Sequence, residues 1–248
     1  QRQMCIRDSP SPFQGDTNPF EDLRQRWTPV PPKAEAEGVD SFQQALRMSH
    51  DEGFLAGTTS IQAADADGWV VSVTPSGGWI PAFIAGSTGI GLSQRMQSFV
   101  LDKSLNPFNV VQPGQRPRAT LTPSMALRDG KPFLAFSVQG GDSQDQNLLQ
   151  FFLNVVEFGM DVQQAVEAHN ITSYQMQSSF GAHQAEPGRI QVTPLVSPWS
   201  RAELQRMGYQ VETIDRTYSP ITAIWFDREH GTMQGGASDY GEDYGIAW

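Results

Sequence analysis

A threonine hydroxyl is a poor nucleophile until a nearby base takes its proton, and one such base is the residue's own α-amine when the threonine heads a chain. Gly57-Thr58-Thr59-Ser60, directly ahead of a strand-like run, holds residues that could act this way. The same four residues also make an ordinary turn into a strand. A second candidate, Gln139-Gly140-Gly141-Asp142, closes an apolar run just before a long helical stretch. Paired glycines let bare backbone N–H groups point into a site and hold an oxyanion or another anion. A simple strand-to-helix turn would use the same residues.

Three further segments are less pointed. Residues 113–120 form a polar loop with Arg116 and Arg118 that ends at Ala119-Thr120, ahead of Thr122-Pro123-Ser124. Residues 86–99 mix glycines with polar groups, including Arg95 and Ser98, but lack the Gly-Lys-Ser/Thr ending of a phosphate loop. Residues 235–239, Gly-Gly-Ala-Ser-Asp, read as a turn, and the acidic stretch 239–243 reads as a solvated end.

Composition narrows the chemistry. The 248 residues include 17 Lys+Arg against 27 Asp+Glu, a net charge of −10 that opposes a nucleic-acid partner. No apolar run has the length of a membrane span. One cysteine and four scattered histidines (50, 169, 183 and 230) show no metal-ligand spacing, so neither a metal nor another cofactor is expected.

The elements that would position these residues are legible as patterns. Strands on either side of Asp67-Gly68, of Asp129-Gly130 and of residues 227–230 read as three hairpins. Residues 144–157 predict a helix whose core face is Leu148, Leu149, Phe152, Leu153 and Val156, with Gly159 as its stop. Asp161 and Gln164 predict a capping box on a second helix, and Ser200 is expected to cap a third over 201–207. Strands, paired helices and strands again predict an α+β sheet covered by helices, not a parallel βαβ succession. Upstream, Pro29, Pro31 and Pro32 forbid regular structure in a tail over 11–57 that has one short helix at 40–48.

The five segments share the order and spacing of the small subunit of the γ-glutamyltransferase family. In the family pattern T-T-x-x-x-x-x-D-x-x-G-x-x-V-S-x-T this chain has Thr58-Thr59, Asp65, Gly68, Val71-Ser72 and Thr74. The agreement continues in A-G-x-x-G-I-x-L (85–92), P-G-x-R-P (113–117), T-P-S (122–124), D-G-K (129–131), Gly140-Gly141 and G-A-S-D (236–239). The resemblance covers residues 58–248 and implies an N-terminal-nucleophile hydrolase with an αββα sandwich, cut from one precursor at Gly57–Thr58. Thr58 would then be the nucleophile, Gly140 and Gly141 the oxyanion hole, and Ser76 the hydroxyl oriented toward Thr58. The implied partners are a small γ-glutamyl or related amide substrate and a large subunit from the same precursor. On this division residues 1–9 resemble a translated sequencing-adapter remnant, 10–57 the end of the large-subunit region, and 58–248 the catalytic subunit. Residues 1–12 show no signal-peptide pattern, and export is left open between periplasmic or extracellular and cytoplasmic.

Departures from the family pattern concentrate on substrate recognition. Where the family's N-x-M-D-D-F-like segment holds the glutamyl ammonium group, this chain reads Gln94-Arg95-Met96-Gln97-Ser98-Phe99, so an amide has become Arg95 and an acid Ser98. The serine pair that holds the α-carboxylate is Ala119-Thr120, and a mouth asparagine falls at Gly78. Arg95 is expected to favour an acyl group that bears a carboxylate or lacks the free amine. The alternatives are an acylase-like member with a non-glutamyl substrate and a catalytically silent binding domain on the same fold. A silent relative has no need of both Thr58 and Gly140-Gly141, and both are present.

Overall fold

The computed structural model describes residues 57–77, 83–215, 220–239 and 243–247. The expected helix at 40–48 and Gly78 lie outside the described residues. Gln112–Arg116 group with a separate compact unit; every element named below lies in the other, Met48–Val111 with Pro117–Trp248.

All three expected hairpins form. The first joins β1 (Ile61–Ala64) to β2 (Val70–Val73). Its connection is one residue longer than a two-residue turn: Gly68 N–H bonds Asp65 O at 3.2 Å, and Asp65 N–H bonds Trp69 O at 3.1 Å. The second joins β3 (Ser124–Arg128) to β4 (Lys131–Val138), with Arg128 directly opposite Lys131. Asp129 and Gly130 turn with φ of 54° and 74°, the left-handed pair that a tight hairpin of matching twist needs. The third joins β8 (Ile221–Asp227) to β9 (Thr232–Ala237), so Gly235 and Gly236 complete a strand where a turn was expected. These strands make an antiparallel sheet in the order β3-β4-β8-β9.

Strand β4 is buried on both faces, and period two decides what each face meets. Phe136 turns to helix α1 (Gln144–Val156), its ring 5.4 Å from Phe151 and 6.0 Å from Phe152. Ser137 turns the other way and meets Gln62 of β1. The result is three layers: the β1–β2 pair, the four-stranded sheet, and α1 with α2 (Val162–Glu167). The core lies between sheet and helices, around Leu134, Val138, Phe151, Val166 and Ile221, where each buried side chain contributes roughly 1.5–3 kcal/mol.

Helix α1 forms where expected and turns part of the expected face inward: Leu148 is in the core and Phe152 and Val156 pack against it. Gln144, Asn147, Leu148 and Phe151 are inside, whereas Leu149 and Leu153 are exposed. Two of the four inward positions are polar, which hid the stripe from a purely apolar count. The capping box on α2 is as expected, with Asp161 Oδ1 accepting from Gln164 N–H at 2.8 Å. Helix α3 spans Pro198–Arg206 and starts three residues before the expected 201. Ser197, not Ser200, is the cap, because Pro198 suits the first helical position and needs no N–H partner there.

A third sheet was not expected. Strands β5 (Ile171–Ser173), β6 (Arg189–Val192) and β7 (Gln210–Thr213) pair in chain order, and β6–α3–β7 is a parallel βαβ crossover. Gln146 and Gln150, one turn apart on α1, cover the edge of β5. Their side-chain amides donate to Ser173 O and Ile171 O at 3.0 and 2.9 Å and accept from the same residues' N–H at 2.8 Å. A helix face thus supplies what another strand would, and the edge is closed.

Gly236 sits where α2 crosses β9. A Cβ there would lie 3.0 Å from both Val162 O and Val162 Cγ2. Gly236→Ala is therefore expected to cost about 1–3 kcal/mol, read as a lower denaturant midpoint in equilibrium unfolding.

Candidate active site

Thr58 stands three residues ahead of β1, and the chain is continuous through Gly57–Thr58, so its nitrogen is a peptide amide here. Thr58 forms an antiparallel bridge with Ser76, and the two hydroxyl oxygens are 2.8 Å apart. Thr59 N–H bonds Pro75 O at 3.2 Å on the same short ladder. The expected pairing of Thr58 with Ser76 is present, both residues being half-buried.

The strand that bears Thr58 is locked to the central sheet by polar side chains. Ser60 Oγ lies 3.1 Å from Thr222 Oγ1. Thr222 Oγ1 donates to Gln62 Oε1, and Gln62 Nε2 reaches both Ser72 Oγ, at 3.3 Å, and Ser137 Oγ. Ser137 is opposite Thr222 across β4 and β8, and Gly140 follows it by three residues. The glycine turn and the start of β1 are therefore held at the same end of the sheet.

Gly140 and Gly141 have φ of 139° and 57°, a left-handed passage that a side chain would strain. Gly140 O accepts from both Ser143 N–H and Ser143 Oγ, at 3.1 and 2.8 Å. Gln144 follows, fully buried. With its amide oriented so that nitrogen faces acceptors, Nε2 donates toward Thr120 O, Thr122 Oγ1 and Val138 O at 3.0–3.1 Å. Oε1 then accepts from Gly141 N–H at 3.2 Å. The opposite orientation keeps only a bond from Thr122 Oγ1 and leaves the amide nitrogen facing donors. The satisfied orientation is the physical one, since an unmet buried amide costs about 1–3 kcal/mol.

The remaining expected residues extend this network. Just beyond Ser76, Gly77 O accepts from Gln94 N–H at 2.7 Å and from Ser93 Oγ at 3.2 Å. This sets the short 3₁₀ turn Arg95–Ser98 against the strand end. Arg95 Nη1 then donates to Thr120 Oγ1 at 3.4 Å, and burial draws its pKa down from the ordinary guanidinium value. Ser98 is buried and its Oγ has no partner. Ala119 is exposed and offers no polar side chain. Hydrogen bonds thus lead from Thr58 through Ser76, Gly77, Arg95 and Thr120 to Gln144 and Gly141.

Sequence reasoning named Arg118 and Asp142 only as members of two loops and missed the partners that brace them. Asp142 accepts from Ser179 N–H at 2.7 Å and from Ser179 Oγ, while Arg118 donates to Ser179 Oγ and lies 3.9 Å from Asp142. The ring nitrogens of His183 lie 2.9 Å from Ser178 O and 3.1 Å from Phe99 O. Asp142 and Ser179 are 37 residues apart in sequence and His183 and Phe99 are 84 apart, and no local spacing announces them. Among the described residues no group of three or more His, Cys, Asp or Glu could hold a metal, and no helix is long and apolar enough to cross a membrane.

Residues 24–248 match the family model for gamma-glutamyltranspeptidase. The chain belongs to the gamma-glutamyltranspeptidase family. It is 30% identical over 214 residues to the glutathione hydrolase-like YwrD proenzyme of Bacillus subtilis, covering 80% of this chain and 39% of that protein. The solved structure of LmbA2991HD is 35% identical, with a TM-score of 0.68, over 76% of this chain and 34% of that one. The gamma-glutamyltranspeptidase from Pseudomonas nitroreducens complexed with L-DON has the same fold, at 24% identity and a TM-score of 0.64. That likeness covers 77% of this chain and 100% of that chain. The chain spans well under half the length of the curated relatives it matches. The α+β architecture is thus that of N-terminal-nucleophile gamma-glutamyltranspeptidases.

Gln144 ties the Gly140-Gly141 turn to the Thr120 segment. Gln144→Ala is expected to cost about 2–4 kcal/mol by leaving several buried groups unmet, measured by chemical unfolding. Gln144→Met, which keeps the volume but not the amide, should recover little of the loss.

Proposed function

We propose that this chain carries the catalytic part of an autoprocessed N-terminal-threonine amidohydrolase or acyltransferase that acts on γ-glutamyl compounds or a related acyl amide. The observation that carries this reading is the 2.8 Å Thr58–Ser76 hydroxyl pair, held at the same end of the sheet as the Gly140-Gly141 turn. Family membership and the proenzyme relative support it.

In the reading, Thr58 Oγ1 first attacks the Gly57 carbonyl and displaces its own nitrogen as an amine, and water then hydrolyses the resulting ester, leaving Gly57 as a carboxylate and restoring the hydroxyl. That amine takes the proton of Oγ1 as Oγ1 attacks the substrate's amide carbon. The oxyanion is received by the N–H groups of Gly140 and Gly141, the latter released from Gln144 Oε1. The proton passes to the leaving nitrogen, the C–N bond breaks, and an ester on Thr58 remains. Water or an acceptor amine then attacks the ester and returns the proton to Oγ1. Ser76 holds the Thr58 hydroxyl in line for each attack.

A large subunit from the same precursor is the proposed partner. The outward face of the β1–β2 pair is apolar, with Ile61 and Val73 side by side and Val71 next to them, all exposed. Such a face belongs against further protein.

The full-length gene product is expected to yield two polypeptides, the shorter starting at Thr58 by N-terminal sequencing or intact mass. Thr58→Ala should stay whole and lose turnover. Ser76→Ala should slow self-cleavage by about tenfold to a hundredfold, the range for a group that orients a reacting hydroxyl. Wild-type protein that remains uncut, or a cut that survives Thr58→Ala, overturns the reading and favours a silent binding domain.

A further inference from the structure

Arg95 is a cation without an anion. It is half-buried, its one hydrogen bond is the 3.4 Å contact with Thr120 Oγ1, and among the described residues no carboxylate pairs with it. Burial lowers its pKa with nothing opposing, the pattern of a charge that has lost water and gained no counter-charge. Its neighbour Arg118 has such a partner in Asp142, and Arg189 is held by Glu186 and Glu212 at 2.9 Å. A guanidinium remains charged at any accessible pH, so the deficit cannot be relieved by losing a proton.

A second observation points the same way. In a 3₁₀ turn the side chains at i and i+3 eclipse, so Arg95 and Ser98 share one side of Arg95–Ser98. Ser98 Oγ is buried at 1% exposure and has no partner. The planar fork of Arg95, with donors to spare, lies beside the Thr120 hydroxyl, and Ser98 on the same side of the turn adds an unmet hydroxyl. A carboxylate accepts from all three, whereas an ammonium group finds only repulsion from Arg95.

We propose that these groups bind the far end of the acyl group, and that the preferred substrate is the monoamide of a dicarboxylic acid, of the glutaryl type, with no free ammonium on the acyl chain. The proposal rests on the acyl-transfer reading above and names the substrate class of that same site. The carboxylate sits between Arg95, Thr120 and Ser98, and the amide carbonyl extends toward Thr58.

The test uses the full-length, self-cleaved protein with glutaryl-, γ-glutamyl- and butyryl-4-nitroanilide. The glutaryl compound should be turned over with kcat/KM higher than the γ-glutamyl compound by about tenfold or more, as expected for a like-charge contact in a half-buried site. Arg95→Gln should lower the glutaryl value about tenfold or more, mainly through KM, and by a clearly larger factor than the butyryl value. A γ-glutamyl preference in the wild type, or an equal loss on all three anilides in the variant, overturns the proposal. Calorimetry decides independently of catalysis: glutarate should bind the full-length Thr58→Ala protein more tightly than L-glutamate, and Arg95→Gln should abolish the difference. Equal or reversed affinities would overturn the proposal even with cleavage intact. An uncut, inactive protein that still selects glutarate would instead overturn the catalytic reading alone.

Discussion

The structure depends on a polar seam between two sheets. Gln62 of β1 bonds at once to Ser72 beside it and to Ser137 and Thr222 across the gap, while Ser60 meets Thr222 and Ser72 reaches Phe136 O. An apolar interface would hold the layers together but let them slide, because burial has no direction. Hydrogen bonds with donors and acceptors at fixed positions do not permit that. The seam therefore sets the register of the strand that starts just after Thr58 against the strand that runs into Gly140. A nucleophile and its oxyanion donors must agree to within a fraction of an ångström. Directional contacts are suited to that task.

The same economy appears in helix α1. Its inward face is not the apolar stripe that a helix on a sheet usually presents. Gln144 serves the glycine turn and the Thr120 segment, Asn147 accepts from Asn170 at 2.7 Å, and Gln146 and Gln150 substitute for a strand along β5. One helix thus holds the Gly140-Gly141 turn at its start and closes a sheet edge along its length. The apolar packing of Leu148 and Phe151 supplies stability, and the amides supply placement.

Much of the fold was legible in local signals. Asp129-Gly130 specified a tight hairpin because two successive left-handed residues are rarely tolerated elsewhere, and Asp161 with Gln164 specified the start of α2. Thr58, Ser76, Arg95 and Thr120 were also legible as candidates, through their place in a family pattern. Legibility failed where partners are distant or polar. The polar part of the buried face of α1 went unread because glutamine and asparagine count as surface residues, and α3 was started late because Ser200 also suits a cap. The β5-β6-β7 sheet was missed altogether: strands of three or four residues carry too little periodicity to register.

The amino-acid sequence alone determined which groups are available: a threonine able to become a chain terminus, two glycines able to present backbone N–H groups, and an arginine where an amide would be expected. Those are properties of residue type and order, and the chain carries them unfolded. Only the tertiary structure decided that Arg95 meets Thr120 and no described carboxylate, that Arg118 meets Asp142 instead, and that Gln144 joins the glycine turn to the Thr120 segment. Pairing of charges and buried amides is a choice among many partners of equal chemistry. It is settled by which surfaces the packed sheets bring within hydrogen-bonding distance.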